Sequence, residues 1–344
     1  MIITIAIALH IAKSLVLGSP SAPAVAAATP APFDTARKGK KQKPPKEIAS
    51  HDTQESDPNI PYVSVSDCHA CPAPCPEQDH LHYPSYLKMD YELPLLHSMK
   101  PYTRHVVIST GQDDWAADID EDKDSLAPYL QKAIHEGQQR LKAANGGRDP
   151  PRIVLTNSSR KCELWDGPGW QVMILPDQIV VNNVTPEQCD DFFEAFLKPA
   201  VGMVDGGHHD SQLSSEKKSE LAVEKDQGAN AVVMICSHKK RDKRCGVTAP
   251  ILQKEFMRIL RSKDLYGDCE GDVEIWLVSH IGGHKFAGNV IVHKSEGMAI
   301  WYGRVEPCHA QAIVEATIER GEVIKELFRG SMIGSFDSQK KIAW

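Results

Sequence analysis

An order of secondary-structure elements that occurs twice is the feature that most constrains the fold of this 344-residue chain. Hydrophobic periodicity and turn residues predict strand, helix, strand, strand, strand and helix from about residue 100, and the same order again from about residue 231. This order suits a central sheet with helices on its faces, so it predicts an α/β fold of two tandem thioredoxin-like domains. The alternative is a chance recurrence of common α/β elements. The predicted segments are 105–109, 126–144, 152–156, 171–175, 178–182 and 187–198 in the first half, and 231–236, 250–262, 273–279, 288–293, 298–302 and 308–328 in the second.

Composition marks the ends of the two predicted domains. Residues 1–60 are predicted to be a disordered or targeting segment, because His10 and Lys13 interrupt the apolar start and a stretch rich in Pro, Lys and Asp follows. A signal peptide is an alternative for the apolar start, although no basic residue precedes it. No stable membrane span is expected. We expect the N-terminal domain at 61–203, a polar linker at 204–228, the second domain at 229–330 and a C-terminal tail at 331–344.

The overall charge and the cysteine count narrow the classes of function. A net charge of −7 argues against general affinity for nucleic acid. Nine cysteines, an odd number scattered along the chain, do not look like the framework of a secreted disulfide-rich protein. A reducing compartment suits both free thiols and metal ligation, so we expect a cytoplasmic protein, with a mitochondrial location as the alternative.

Two cysteines and two histidines form the strongest candidate site. Cys236 and Cys245 lie nine positions apart, and His280 and His284 follow four positions apart. Two thiolates and two imidazoles are a complete ligand set for zinc or for a 2Fe-2S cluster. Zinc knuckles usually hold their cysteines two to four residues apart. The longer spacing here favours a loop that wraps around something larger than one ion, and so it favours a binuclear cluster over zinc.

The residues around the four candidate ligands support this interpretation. The segment 237–244 carries five basic side chains, which favour thiolate over thiol, although such a run alone is typical of a solvated turn. The histidines flank Ile281-Gly282-Gly283, with no glutamate, between two predicted strands. Adjacent glycines disfavour a helix, so this is not the helical metal site of a zinc protease.

Three motifs of the second half closely resemble the sucrase/ferredoxin-like family of thioredoxin-like ferredoxins, which includes fungal actin-patch-distribution and altered-inheritance-of-mitochondria proteins. The resemblance implies that the second domain is a thioredoxin-like ferredoxin, with a 2Fe-2S cluster held by two cysteines and two histidines. Carried over to this sequence, those ligands are Cys236, Cys245, His280 and His284. The motifs are CSHKKRDKRCG (236–246), HIGGHKFAGN (280–289) and WYGRV (301–305), joined by DCHAC (67–71) and MKPYTRHVVISTG (99–111).

The expected function is electron transfer, with Cys236 and Cys245 on one iron and His280 and His284 on the other. Two neutral imidazoles leave the oxidised centre with roughly zero charge, against about minus two for an all-cysteine cluster, so reduction is easier and pH-dependent. The redox partner is a protein that the sequence does not identify. One alternative is a zinc-stabilised binding or adaptor module that uses the same four ligands.

The N-terminal cysteines form a second, weaker candidate site. Cys68 and Cys71 are a CxxC pair with Cys75 nearby, which suggests a thiol oxidoreductase or half of a zinc site. Prolines at 72, 74 and 76 stiffen the segment, and no strand-to-helix step follows. An inert or structural role is the third possibility.

Two further segments lead to expectations. The loop after the first strand of the first half, 112–122, is acidic and holds no ligands, so we expect an N-terminal domain without a cluster. That loop is expected to be solvated, and docking to a basic partner or to the basic loop of the second domain is the alternative. The terminal Trp344 resembles the peptide by which client proteins engage the cytosolic iron-sulfur assembly machinery; a frayed terminus is the alternative.

Overall fold

The computed structural model describes six ranges of the chain, all within one compact unit that spans 55–344. The predictions for the segment before residue 57, for Cys68, Cys71 and Cys75, for most of the linker and for Trp344 lie outside these ranges. No helix within them is long and apolar enough to cross a bilayer. The described residues are 57–64, 81–161, 169–198, 222–225, 229–266 and 271–336.

Twelve strands and four helices form the described structure. The strands are β1 (Tyr62–Val63), β2 (Arg104–Ser109), β3 (Ile153–Ser158), β4 (Trp170–Leu175), β5 (Ile179–Val184), β6 (Ala222–Lys225), β7 (Ala231–Cys236), β8 (Val273–Val278), β9 (Val290–Lys294), β10 (Ala299–Tyr302), β11 (Val323–Ile324) and β12 (Phe328–Ser331). The helices are α1 (Ala127–Ala144), α2 (Cys189–Phe192, continued by a π-helical turn Phe193–Leu197), α3 (Lys243–Ser262) and α4 (His309–Ala312, continued by a π-helical turn Ile313–Glu319).

Ten of these strands form one mixed sheet in the order β12-β10-β9-β7-β8-β3-β2-β4-β5-β6. In each half, the first strand pairs parallel with the second and antiparallel with the third, which pairs antiparallel with the fourth. The halves join where β3 meets β8, through the single pair Ser158 and Val278. The predicted α/β class is confirmed, and the strand order recurs in both halves within one continuous sheet.

The sheet folds over at this join, so that its two halves face each other. Three strands separate β2 from β9 in the sheet order. Nevertheless, His105 Nδ1 on β2 lies 3.1 Å from His293 Nε2 on β9, and both residues are buried. Since side chains alternate along a strand, Val107 faces this inner core while Val106 and Ile108 face α1 and α2. Helices α3 and α4 cover the second half in the same way.

Two predicted helices have different limits in the structure. Helix α3 begins at Lys243 rather than at residue 250, because the Asp242 carboxylate caps it by accepting from the Arg244 backbone N–H at 2.9 Å. Pro250 therefore lies inside this helix. The predicted helix 308–328 ends near Gly321, which has a positive φ of 71°, and β11 and β12 follow because they pair with β1 and β10.

The predicted linker also contains regular structure. Within 204–228, the structure describes the strand Ala222–Lys225, which pairs antiparallel with β5. Turn-forming polar residues around it conceal this short strand in the sequence, because an edge strand needs few apolar side chains.

Candidate metal centre

The two cysteines of the candidate site lie where β7 ends and α3 begins. Cys236 is the last residue of β7, and Cys245 lies in the first turn of α3. Both are 1% exposed, and both are free of disulfide bonds. The N-terminal end of a helix favours a thiolate, because unpaired backbone N–H groups and the helix dipole attract negative charge.

The Cys236 and Cys245 thiols lie in contact and shift each other's pKa in opposite directions. A hydrogen bond from the Cys245 thiol, followed by one from the His280 imidazole, holds the pKa of Cys236 well below its ordinary value, and the Ile281 backbone N–H adds a third donor. The neighbouring Cys236 in turn raises the pKa of Cys245. Without a cation, therefore, the first thiolate opposes formation of the second, and both become anionic donors only beside positive charge.

The two histidines lie on the loop between β8 and β9, as predicted. Gly282 and Gly283 have φ values of 86° and 70°, a left-handed conformation that glycine adopts without strain. The two imidazole ring centroids are 5.3 Å apart, with planes inclined by 33°. The side chain of His284 is 46% exposed, with Nε2 3.9 Å from Asp242 Oδ2. Burial lowers the pKa of His284 and favours the neutral, ligating form.

One nitrogen of the site has no partner. His280 Nδ1 is buried and makes no hydrogen bond, although a buried polar atom without a partner is costly. It belongs to the same imidazole that contacts the Cys236 thiol. A metal ion at this place would accept the free lone pair of His280 Nδ1. The donor set therefore fits a metal cofactor that takes nitrogen and sulfur ligands together.

The ligands meet as pairs rather than around one point. Thiol contacts thiol, imidazole lies against imidazole, and His280 links the pairs. Within the described ranges, no group of three or more His, Cys, Asp or Glu side chains is arranged to hold a metal ion.

The family of this chain follows from its similarity to known proteins. The model of the sucrase/ferredoxin-like family matches residues 95–330, which is more than half of the chain and includes all four candidate ligands. The chain belongs to the sucrase/ferredoxin-like family. The resemblance seen in the sequence motifs is therefore confirmed, whereas Cys68 and Cys71 lie outside the matched residues.

Several relatives of this sucrase/ferredoxin-like protein are fungal proteins. It is 33% identical to actin patches distal protein 1 of Saccharomyces cerevisiae over 245 residues, which are 67% of this chain and 74% of that protein. It is 50% identical over 99 residues to altered inheritance of mitochondria protein 32 of Clavispora lusitaniae, covering 29% of this chain and 34% of that protein. The protein of the same name from Debaryomyces hansenii is 44% identical over 122 residues, covering 35% and 42%. No solved structure matches the chain.

A buried histidine that sequence reasoning missed supports the ligand loop of this sucrase/ferredoxin-like chain. His238 Nδ1 accepts a hydrogen bond from the His280 backbone N–H at 3.1 Å, and His238 Nε2 donates to Ala116 O at 2.7 Å. These bonds define the Nε2–H tautomer and leave neither nitrogen for a metal. In the sequence, His238 is one polar residue of a basic run, and nothing there shows that it is buried.

The acidic loop of the first half docks onto the basic cysteine loop. Lys240 N donates to Asp114 Oδ1 at 3.1 Å, and Arg241 Nη1 donates to Asp118 Oδ2 at 3.3 Å. Ser237 Oγ also donates to Asp113 O at 2.6 Å. The expectation of a solvated acidic loop is therefore wrong, because backbone and side-chain donors of the cysteine loop use its oxygens. This contact holds the cysteine loop of the candidate site against the first half.

Proposed function

We propose that this protein transfers electrons through a 2Fe-2S cluster, with Cys236 and Cys245 on one iron and His280 and His284 on the other. The observation that carries the proposal is the buried, unpartnered Nδ1 of His280 beside two buried free thiols. Membership of a family described as sucrase/ferredoxin-like agrees with it.

The proposal extends to the fold of each half. We propose that both halves are thioredoxin-like units, and that the second is a thioredoxin-like ferredoxin. A thiol at the end of a strand and another in the first turn of the next helix, as in Cys236 and Cys245, support this assignment. The recurrence of one strand order in both halves supports the view that a common unit was used twice.

The four ligands determine how readily the site takes an electron. The cluster, when bound, accepts or releases one electron at a time. Two imidazoles in place of two thiolates remove about two negative charges from the site, so reduction becomes easier than in an all-cysteine site. Burial of Cys236 and Cys245 excludes water from the sulfur side, which strengthens every charge interaction there.

The imidazoles supply the proton chemistry. His284 is the exposed member of the pair, so its second ring nitrogen exchanges protons with solvent. A proton held on that nitrogen favours the reduced state, and its loss favours the oxidised state. The reduction potential should therefore fall as pH rises.

The exposed edge at His284 is also the place where a redox partner protein reaches the site most directly. Recruitment of the cytosolic iron-sulfur assembly machinery through Trp344 remains part of the proposal, together with a cytoplasmic location. The relatives named for altered inheritance of mitochondria keep a mitochondrial location as the alternative.

Anaerobic purification followed by visible absorption, EPR and analysis of iron and acid-labile sulfide tests the proposal. We expect about two irons and two sulfides per chain, and a potential above that of an all-cysteine cluster. His280→Cys and His284→Cys should shift the spectra, lower the potential and weaken its pH dependence. Stoichiometric zinc without sulfide would overturn the proposal and establish the zinc-stabilised binding module instead.

A further inference from the structure

A buried arginine lies directly behind the histidine loop. Arg329 is on β12 and is 1% exposed. Its Nη1 donates to Gly282 O at 3.2 Å and to Asn289 Oδ1 at 2.7 Å. Asn289 Nδ2 donates in turn to Gly283 O at 3.0 Å. The guanidinium thus reaches both glycines that separate the two candidate histidine ligands, once directly and once through an amide.

The other side of the guanidinium holds the segment that precedes β2. Arg329 Nε donates to Ser98 Oγ at 3.0 Å, and Nη2 donates to Ser98 O at 3.2 Å. The rings of Phe286 and Trp301 lie 5.7 and 5.8 Å from its central carbon. Arg329 therefore connects three stretches of chain that are distant in sequence.

This buried cation has no carboxylate partner among the described residues. All of its hydrogen-bond acceptors there are neutral, and no Asp or Glu of those ranges forms an ion pair with it. A buried charge without a counter-charge is strongly unfavourable. Burial lowers the pKa of Arg329 to about 10, and Coulomb interactions with Cys236 and Cys245 oppose this effect.

The loop is shaped to admit the guanidinium. A Cβ atom at Gly283 would lie 2.4 Å from Arg329 Nη2, so the guanidinium would have to leave its present position. Gly283 therefore serves two purposes, since it adopts a positive φ and leaves room for the charged group.

We propose that Arg329 is the positioning residue and the buried counter-charge of the cluster site. It holds the histidine loop through Gly282 and Asn289, and its positive charge favours the electron-rich state of the site. This inference rests on the proposed function, and it assigns to the chain's own arginine the control of the potential and of the order of the ligand loop.

Substitution of Arg329 separates its two roles. Arg329→Met removes the charge and the hydrogen bonds, so the reduction potential should become more negative, and amide exchange in 280–289 should become at least about tenfold faster. Arg329→Lys keeps the charge but loses the planar donor geometry, so the potential should change less while exchange still accelerates. Hydrogen exchange and EPR-monitored titration are measured on the same full-length preparations.

Arg104→Lys is the matched control, because Arg104 is a largely buried arginine of the first half that is paired with Asp177 at 2.7 Å. It should change neither readout. Ser98→Ala, a milder change at the other end of the network, should accelerate exchange less and serves if Arg329→Met does not fold. An unchanged potential together with unchanged loop exchange in the Arg329 variants would overturn the inference. A wild type without iron and sulfide would instead overturn the proposed function, while loop exchange would still decide the positioning role.

Discussion

The first strands of the two halves, β2 and β7, end in the same backbone pairing but carry different side chains there. Ser109 ends β2 and is opposite Gln171, as Cys236 ends β7 and is opposite Asn289. Arg160 follows β3 at the place where His280 follows β8. In the first half, Ser109 Oγ and Arg160 Nη1 both donate to Gln171 Oε1, and Gln171 Nε2 donates to Asn182 Oδ1 at 2.8 Å.

The same strand pairing thus supports a structural half and a candidate ligand-binding half. At these positions of the first half, Ser109, Arg160 and Gln171 satisfy one another's polar groups. At the equivalent end of the second half, two buried thiols lie beside His280, whose Nδ1 has no partner, so on the proposed function these side chains hold an additional group. The two halves therefore differ in the side chains at a few equivalent positions rather than in the sheet that carries them.

The largest expected effect is on iron and sulfide content, when the residues at the equivalent ends of β7 and β2 are substituted. On the proposed function, Cys236→Ser should reduce iron and sulfide to background levels, because a hydroxyl replaces a thiolate ligand. The matched variant Ser109→Ala should keep the full iron content. Metal analysis of both proteins checks this. Iron retained in Cys236→Ser would remove Cys236 from the ligand set.

The next effect concerns the inner core where the two halves face each other. Burial lowers the pKa of His105 well below its usual range and that of His293 to about 3. The folded state disfavours protonation of both histidines. Their contribution to the free energy of unfolding is therefore fully present above the unfolded-state pKa of about 6.5, and it is lost as the pH drops from there towards 3.

For His293 the expected loss between pH 7 and pH 5 is about 2 kcal/mol, and His105 adds to it. Urea unfolding at several pH values measures this loss. A stability that does not vary over this range would show that the pair is not buried between the halves.

A smaller effect is expected at the contact between the acidic loop and the cysteine loop. His238→Ala removes the acceptor for the His280 N–H and the donor for Ala116 O, which should destabilise the protein by on the order of 2–3 kcal/mol. Arg241→Ala breaks an exposed ion pair with Asp118 and an exposed hydrogen bond to Ala117 O, and should cost less, about 1 kcal/mol. Equal losses of unfolding free energy in the two variants would contradict the buried bridging role of His238.

The smallest predicted effect is a stabilisation. Asn157 of β3 has both side-chain polar atoms buried and without partners, and it lines a cavity of about 340 Å³. The equivalent position on β8 is Leu277. Asn157→Leu should therefore raise the free energy of unfolding by about 1–2 kcal/mol, whereas Asn157→Asp should lower it. Denaturant unfolding checks both changes, and a destabilised leucine variant would show that the amide has a ligand or water partner.

The spacing of hydrophobic residues predicted many of the strands and helices, because burial of one face imposes a characteristic spacing on each type of element. The strand predicted at 231–236 is observed as Ala231–Cys236, and the helix predicted at 126–144 is Ala127–Ala144. The errors occur where distant partners decide the structure. The predicted helix 308–328 gives way to β11 and β12, since their pairing strands β1 and β10 provide hydrogen bonds that no local period reveals.

The amino-acid sequence alone determined which donors this protein has, the glycine bend between its histidines and the twofold order of its elements, because these depend on residue type and short-range periodicity. Only the tertiary structure decided that Arg329 lies behind that bend, that His238 is buried and that an acidic loop covers the cysteine loop. Such contacts join residues that are far apart along the chain, and they form because folding over the sheet excludes water from both halves at once.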